Sequence, residues 1–459
     1  MMRLILLPLI LMLMGTASAR MLPNQSAAQR GVDWPRFLGP SGDGKSTEKG
    51  VKPWPAAGPE LKWTIPVGEG YSAPIVVEGR CLIFDRAGGQ VRCRSLDRET
   101  GKELWAFQYS SSYQDKYNYD GGPRACPVTD GELVYLYGPE GLLHCITLAE
   151  GKLVWKLDTV AQFGVVQNFF GVGSTPILFG NKLLVHIGGS PPGSDKIEFG
   201  SLPNNGSCMA AFDKKTGKLL FQTGNDLASY ASPQLATLNK KEVCLMVARE
   251  GLHGFDPEQG QELFHLPFRA RMLESVNVSN AVVDGQELML TESYAVGSKL
   301  LRVKNDWSLE ECWNAVPRRR DQGIAAHMNT PIKVGQHVYG CTGRQPNDAE
   351  LRCIEWETGK VTWREKPQLG DYIAGRGTAT YVDGYLLYLA EEGVLFLIKA
   401  NPFKYELIST WDGRRGIKNG PPLPMLPEPA WAAPVVSSGC IYLRGQGRLV
   451  CLSAYVPHQ

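Results

Sequence analysis

From residue 61 onward, apolar and polar positions alternate in short runs closed by Gly, Asp or Asn. The first unit shows the pattern: residues 73–77, 81–85, 91–96 and 103–107 each read as a strand, with turns between them. Two markers then recur. One is a turn glycine with an aromatic residue four positions later: Gly101 and Trp105, Gly151 and Trp155, Gly217 and Phe221, Gly260 and Phe264, Gly359 and Trp363. A worn copy ends at Trp313, behind Asp306-Trp307-Ser308. The glycine suits a turn that needs positive φ, and the aromatic lies on the face that meets the next unit. The other marker opens each unit as a small residue followed by proline, at Pro74, Pro127, Pro176, Pro233, Pro331 and Pro434, with Ala281 and Thr380 at that position in two worn copies. These eight positions step at about 50 residues.

Four short strands per 50-residue unit, eight times over, predict an all-β, eight-bladed β-propeller. The ends supply a check. The last unit has strands near Pro434, at residues 440–444 and at residues 448–452, and then lacks a fourth. Residues 61–67, with Trp63, belong to no unit and read as that missing strand, so the N-terminal strand closes the ring and removes its open edges. The expected organisation is a signal peptide over 1–19, an extended segment over 20–60, the propeller over 61–454 and a tail over 455–459. Arg3, the apolar run 4–14 and Ala17-Ser18-Ala19 carry the export reading; the run is too short to span a bilayer. No cysteine follows it, so a soluble exported protein without a lipid anchor is expected, with no membrane span.

Charge removes one class of partner. Forty-eight basic against 46 acidic residues leave a net charge of +2 over 459 residues, with Arg318-Arg319-Arg320 as the one basic cluster, so nucleic acid is not expected. Residues 39–46 spell G-x-x-x-x-G-K-S, yet Pro35 breaks the preceding segment, and Gly50, Pro53 and Pro55 forbid the helix that phosphate binding needs. The segment is expected to be an exposed, Gly-rich lead-in. The longest insertion, residues 188–207, is too polar for a core and is expected as a surface loop, and residues 421–427 read as a stiff extended connector.

Eleven cysteines occur, without C-x-x-C or H-E-x-x-H, so no metal is expected. Recurrence of Cys93, Cys145, Cys353 and Cys451 at one strand position reads as core filling. Cys81 with Cys93, Cys341 with Cys353, and Cys440 with Cys451 flank hairpin turns, where each pair would stand nearly opposite and could form a somewhat strained disulfide.

The Asp-x-x-Thr-Gly-Lys-x-x-Trp unit at residues 97–105 resembles the quinoprotein-type propeller repeat, and the resemblance covers nearly all of 61–454. The lead-in Trp34-Pro35-Arg36-Phe37-Leu38-Gly39-Pro40 is similar to the start of a group of secreted bacterial propellers with this repeat. The family implies an eight-bladed ring in two settings: dehydrogenases of alcohols and sugars that use pyrroloquinoline quinone with calcium, and a propeller of outer-membrane assembly. This chain lacks the adjacent cysteine pair of the methanol-dehydrogenase-like enzymes and offers no match for their calcium carboxylates.

Propellers bind at the channel mouth, in the loops that enter the first strand of each blade. Tyr71, Arg124, Asn168, Glu274, Asn277, His327, Asn329, Arg376 and Trp431 lie there and are the ligand-binding candidates. Such a ring suits a sugar, a quinone or a peptide; Arg124 and Arg376 would clamp a carboxylate, and His327 or Glu274 would serve as a base. Two readings follow: a non-catalytic exported scaffold for a protein or polysaccharide partner, with no cofactor, and a quinone-dependent oxidoreductase of a sugar or alcohol.

Overall fold

The computed structural model describes residues 32–166, 168–272, 276–316, 321–416 and 424–455. The signal-peptide segment, Glu274, Arg318-Arg319-Arg320 and Pro421-Pro422-Leu423 lie outside them. Eight four-stranded antiparallel blades follow one another in chain order, and the seventh gains a fifth, parallel strand from Lys45–Ser46. In the first blade the strands are Ile75–Val77, Arg80–Ala87, Gln90–Asp97 and Glu103–Ser110. The last blade takes its outer strand from the other end of the chain: Leu61–Pro66 pairs antiparallel with Arg448–Ser453, with Trp63 opposite Cys451. The ring is therefore closed by the N-terminal strand, as the orphan strand at residues 61–67 led us to expect. Among the described residues the longest helix is the single turn Thr159–Phe163, and no helix is long and apolar enough to cross a membrane.

The apolar core is divided among the blade interfaces. One buried cluster joins Ile75 and Phe84 of the first blade to Val134 and Leu136 of the second. Another joins Leu387 and Leu395 of the seventh to Ile441 and Val450 of the eighth, and a third seals the junction of eighth and first through Tyr442, Cys451, Val76 and Ile83.

The repeat residues explain how each interface is registered. Asp97 Oδ1 accepts hydrogen bonds from Thr100 N (2.9 Å) and Oγ1 (2.7 Å), and Asp213 does the same with Thr216 (2.9 and 2.8 Å). These bonds tighten the turn that ends at a left-handed glycine, φ 70° at Gly101 and 71° at Gly217. The aromatic of one blade then lies flat on the glycine of the next: Trp105 on Gly151, Trp155 on Gly217, Trp313 on Gly359, and Trp63 on Gly101 across the closure. Each indole N–H also donates to a carbonyl of that neighbouring blade, as Trp105 Nε1 does to Leu148 O at 3.1 Å and Trp155 Nε1 to Lys214 O at 3.0 Å. Where the repeat is worn, Trp307 occupies the glycine position at φ 68°, and Phe264 stacks on its ring at 6.3 Å.

The small residue before each proline has a role that spacing alone did not reveal. Cys126 N donates to Thr175 Oγ1 (2.9 Å), Thr175 N to Ser232 Oγ (2.9 Å), Ser232 N to Asn280 Oδ1 (2.9 Å) and Asn280 N to Thr330 Oγ1 (3.1 Å). These four bonds run blade to blade around the channel wall and satisfy N–H groups of strands that have no inner neighbour.

Two expectations are corrected. The lead-in is not an exposed tail. Trp34 pairs with Val76 through two backbone bonds (2.7 and 2.9 Å) and is buried, Gly44 packs on Ile332, and Lys45–Ser46 forms a parallel bridge with Tyr381 and Val382. The segment lies across inner strands from several blades and plugs the channel at the end opposite the mouth. Its glycines, at φ 81°, 70° and 74° for Gly39, Gly42 and Gly44, fold it into turns. The cysteine pairs are also out of register, and all eleven cysteines are free. Cys81 faces Leu96 while Cys93 faces Phe84, three places away, so the two thiols point to opposite faces of the blade. Cys341 faces Leu351 and Cys440 faces Ser453, so Cys353 and Cys451 stand diagonal to them on the same face, two places off, and the Cys440 and Cys451 thiols still meet side by side.

Candidate functional site

The mouth is built largely from the loop between the first and second blades. Asp115, with a fully buried side chain, organises it: its carboxylate accepts from the backbone N–H of Tyr117 (3.0 Å), Tyr119 (3.1 Å) and Asp120 (3.0 Å) and from Arg124 (2.9 Å). Asp120 accepts from Gly70 N (3.0 Å) and Gly122 N (3.0 Å) and lies 3.5 Å from Arg124. Gly122 is required by close approach, since a Cβ would sit 2.2 Å from the Glu69 backbone. This frame turns Tyr117 and Tyr119 outward, 49% and 62% exposed. Arg124 lies over the rings of Tyr71 (5.4 Å) and Phe170 (5.6 Å).

A second group comes from blades six to eight. Arg376 grips Glu391 with Nε (3.0 and 3.1 Å) and Nη2 (2.7 Å), and Trp431 Nε1 donates to the same carboxylate at 2.8 Å. Trp431 joins the two groups, 4.7 Å from Tyr71 and 6.4 Å from Tyr119 by ring centroids. Beside it lies a shallow recess, with room for about one water, lined by His327, Asn329, Arg376 and Trp431. Burial, helped by Arg376 and Arg344, lowers the His327 pKa to about 4, so the ring is neutral at pH 7, and its Nδ1 has no hydrogen-bond partner. Away from the lining of this recess, burial raises the Glu292 carboxyl to about 7, against hydrogen bonds from the Tyr294 and Ser293 backbone that lower it.

The remaining candidates are placed as ties between loops. Asn277 donates to Ala248 O (2.8 Å) and Phe268 O (3.0 Å), and Asn329 to Cys341 O (3.0 Å). Asn168 donates to Ala228 O and accepts from the buried Arg249 at 2.5 Å. The long insertion folds over this last pair: Phe199 lies 4.1 Å from the Arg249 guanidinium and 4.4 Å from Phe169. Asp115, Glu391, Arg249 and Arg344 carry this geometry and were not singled out from sequence. Their partners are remote in the chain or set by loop folding, and no motif marks them.

The residues do not suit a quinone held with calcium. The carboxylates at the mouth are already committed: Glu391 to Arg376 and Trp431, Asp115 to three backbone N–H groups and Arg124. Among the described residues, no group of three His, Cys, Asp or Glu side chains is arranged to hold a metal ion.

Residues 87–365 match the family described as outer membrane protein assembly factor BamB. The chain belongs to this BamB-type propeller family. The crystal structure of BamB from Moraxella catarrhalis superposes with a TM-score of 0.56 at 12% identity, over 87% of this chain and 98% of that one. Quinohemoprotein alcohol dehydrogenase from Comamonas testosteroni gives 0.59 at 12% identity, over 93% and 81%. In sequence, the dehydrogenase subunit of a quinone-type alcohol dehydrogenase from Gluconobacter oxydans is 29% identical over 151 residues, which is 32% of this chain and 18% of that protein. The chain thus aligns with under a fifth of that relative's length. At these identities the two structures share the ring, and BamB-type membership speaks to the repeat rather than to a reaction.

Proposed function

We propose that this is an exported, soluble scaffold that holds protein segments at the channel mouth during assembly of other proteins, without catalysis. One observation carries the reading. The mouth presents a contiguous aromatic platform, Tyr117, Tyr119, Phe170, Trp431 and Tyr71, whose arginines Arg124 and Arg376 are neutralised by carboxylates of the protein itself. A rigid, amphipathic and internally satisfied surface suits docking, because Tyr and Trp give contact area at low entropic cost. The BamB-type family and the apolar leader over residues 4–14 support the same setting. The oxidoreductase reading needs groups that the mouth spends on itself.

Two measurements test the proposal. Calorimetric titration with pyrroloquinoline quinone and calcium should give no binding at high micromolar quinone. Micromolar binding lost in Arg124→Ala or Arg376→Ala would overturn the scaffold. A photocrosslinker at residue 119 should capture a discrete exported protein in cells, and capture should fall when Tyr117 and Trp431 are replaced by serine.

A further inference from the structure

The long insertion covers a cation that the mouth does not neutralise. Arg249 stands in the turn after the second strand of the fourth blade, Lys241–Val247, and is 2% exposed. Its guanidinium finds two acceptors, both uncharged: Asn168 Oδ1 at 2.5 Å from Nη2 and Phe199 O at 3.4 Å from Nη1. Its Nε has no partner. The nearby carboxylates are committed elsewhere, Asp226 to His253 and Glu250 to Arg269. Other buried arginines are served better. Arg124 and Arg376 are each paired with a buried carboxylate, and Arg444 donates to the four carbonyls of Ser72, Phe84, Gly68 and Glu69. Burial lowers the Arg249 pKa only to about 10, so the group stays charged at pH 7. A buried cation with weak, neutral acceptors carries a desolvation cost that a plain tie between loops does not require.

The cover is loosely held. Phe199 lies flat over the guanidinium, 4.1 Å from centroid to carbon. The insertion is pinned at its base, by Ser190 N to Gly164 O (3.0 Å), Asn205 N to Gly189 O (3.1 Å) and Asn205 Nδ2 to Phe163 O (2.7 Å). Between Ser194 and Asn204 the backbone bonds are local, Ile197 N to Ser194 O and Ser201 N to Glu198 O. Among the described residues, the hydrogen-bond and ring contacts from this tip to the body are those of Phe199, with Arg249 and with Phe169 at 4.4 Å. Phe169 leads on to Tyr117 at 5.7 Å, and so to the aromatic platform. Lys116 stands 5.0 Å from the Phe169 centroid and has no acidic partner among the described residues. Two unneutralised cations therefore border the Phe169 and Phe199 pair.

We propose that Arg249 is a carboxylate-binding subsite of the mouth, with residues 194–204 as its lid. A carboxylate of the docked segment displaces Phe199, and one of its oxygens takes the place of Phe199 O at Nη1. A charged acceptor then replaces a neutral one, in the space the phenyl ring leaves, and Lys116 adds attraction from the solvent side. The inference rests on the scaffold reading, which it sharpens by naming a group that is held.

Calorimetric titration of the full chain with three acetylated hexapeptides tests it. Gly-Ser-Glu-Val-Ser-Gly amide offers a side-chain carboxylate, Gly-Ser-Gln-Val-Ser-Gly free acid offers a chain end, and the Gln peptide as amide offers neither. At least one acid should bind about tenfold or more tighter than the neutral peptide, the scale of one charge-assisted contact. The acid preferred tells which source of carboxylate the subsite takes. Equal binding of all three, or of none at millimolar peptide, overturns the proposal. Arg249→Gln should erase the preference and Arg249→Lys should keep part of it. Phe199→Ala leaves the guanidinium and removes its cover, so it should bind the preferred acid several-fold tighter; unchanged or weaker binding overturns the lid, and does so even where an Arg249 variant fails to fold. An independent readout is chymotrypsin cleavage after Phe199, mapped by mass spectrometry. Saturating acid should speed it several-fold and the neutral peptide should not; an unchanged rate also overturns the lid. Acid selectivity that depends on Arg249, without capture at residue 119, would remove the scaffold and leave the subsite; capture without acid selectivity would do the reverse.

Discussion

Replacing Gly151 by alanine probes the contact that sets the blade interfaces. The residue has φ 68°, and an added Cβ would lie 2.5 Å from Trp105 Cε3. A left-handed alanine costs roughly 1–2 kcal/mol. Moving the indole away costs about 1–3 kcal/mol in overpacking and about 1 kcal/mol more if the 3.1 Å bond from Nε1 to Leu148 O is lost. The expected loss is roughly 3–6 kcal/mol. Gly180 is the control, with φ 57° and nothing within 4 Å of an added Cβ, so Gly180→Ala should show the backbone cost alone, about 1–2 kcal/mol. Guanidinium unfolding followed by circular dichroism gives both midpoints without relying on the tryptophan that moves. The double variant Gly151→Ala with Trp105→Leu should lose less than the two single variants together, because the smaller side chain relieves the clash. Equal losses at Gly151 and Gly180, or full additivity in the double variant, would refute docking as the origin of the register.

Four further outcomes follow. The Glu292 carboxyl has a folded pKa of about 7, above its unfolded value of 4.5, so its contribution declines as pH rises from 4.5 through 7; Glu292→Gln should therefore stabilise more at pH 8 than at pH 5, by about 2–3 kcal/mol, and equal gains would refute this. Burial depresses His144 and His186 to about 4, so each contributes acid lability as pH falls from 6.5 towards 4, about 1.4 kcal/mol per pH unit; His186→Asn should flatten that slope in a pH series of unfolding curves. Thiol titration should find one fast cysteine in the native protein, Cys312, and eleven after denaturation; a fast second thiol, or fewer than eleven in total, would contradict the arrangement. Trp34, 2% exposed beneath the ring, should cost about 3–5 kcal/mol when changed to alanine, and residues 32–46 should then become cleavable by protease.

The ring was legible because every blade obeys the same local chemistry: a turn glycine, an aromatic four places on, a small residue before proline. What escaped the sequence depends on register and on distance. Spacing brackets Cys81 and Cys93 around one hairpin, but the pairing places them three positions out, and a single step of slip changes the face a side chain occupies. The lead-in looked exposed because its glycines and prolines suit turns anywhere; only contacts with Val76, Ile332 and Val382 make it a plug. Tyr71, Arg124, Arg376 and Trp431 come together in the structure, Trp431 against Tyr71 and each arginine over an aromatic ring. The carboxylates that neutralise the two arginines, Asp115 and Glu391, leave no periodic trace in the sequence, because their pairing is set by how the loops fold.

The strand swap at the closure has a consequence for the order of events in synthesis. Residues 61–66 leave the ribosome first among the blade strands, yet their partner, residues 448–453, leaves last. For most of translation the nascent chain carries an unpaired β edge at each end, and the pairing that joins them has a sequence separation close to the whole length of the ring. Such late, long-range contacts slow folding and lengthen the time in which open edges can recruit another chain. A chain cut short before Arg448 would therefore yield seven finished blades and an open seam, so residues 448–453 decide whether the ring closes.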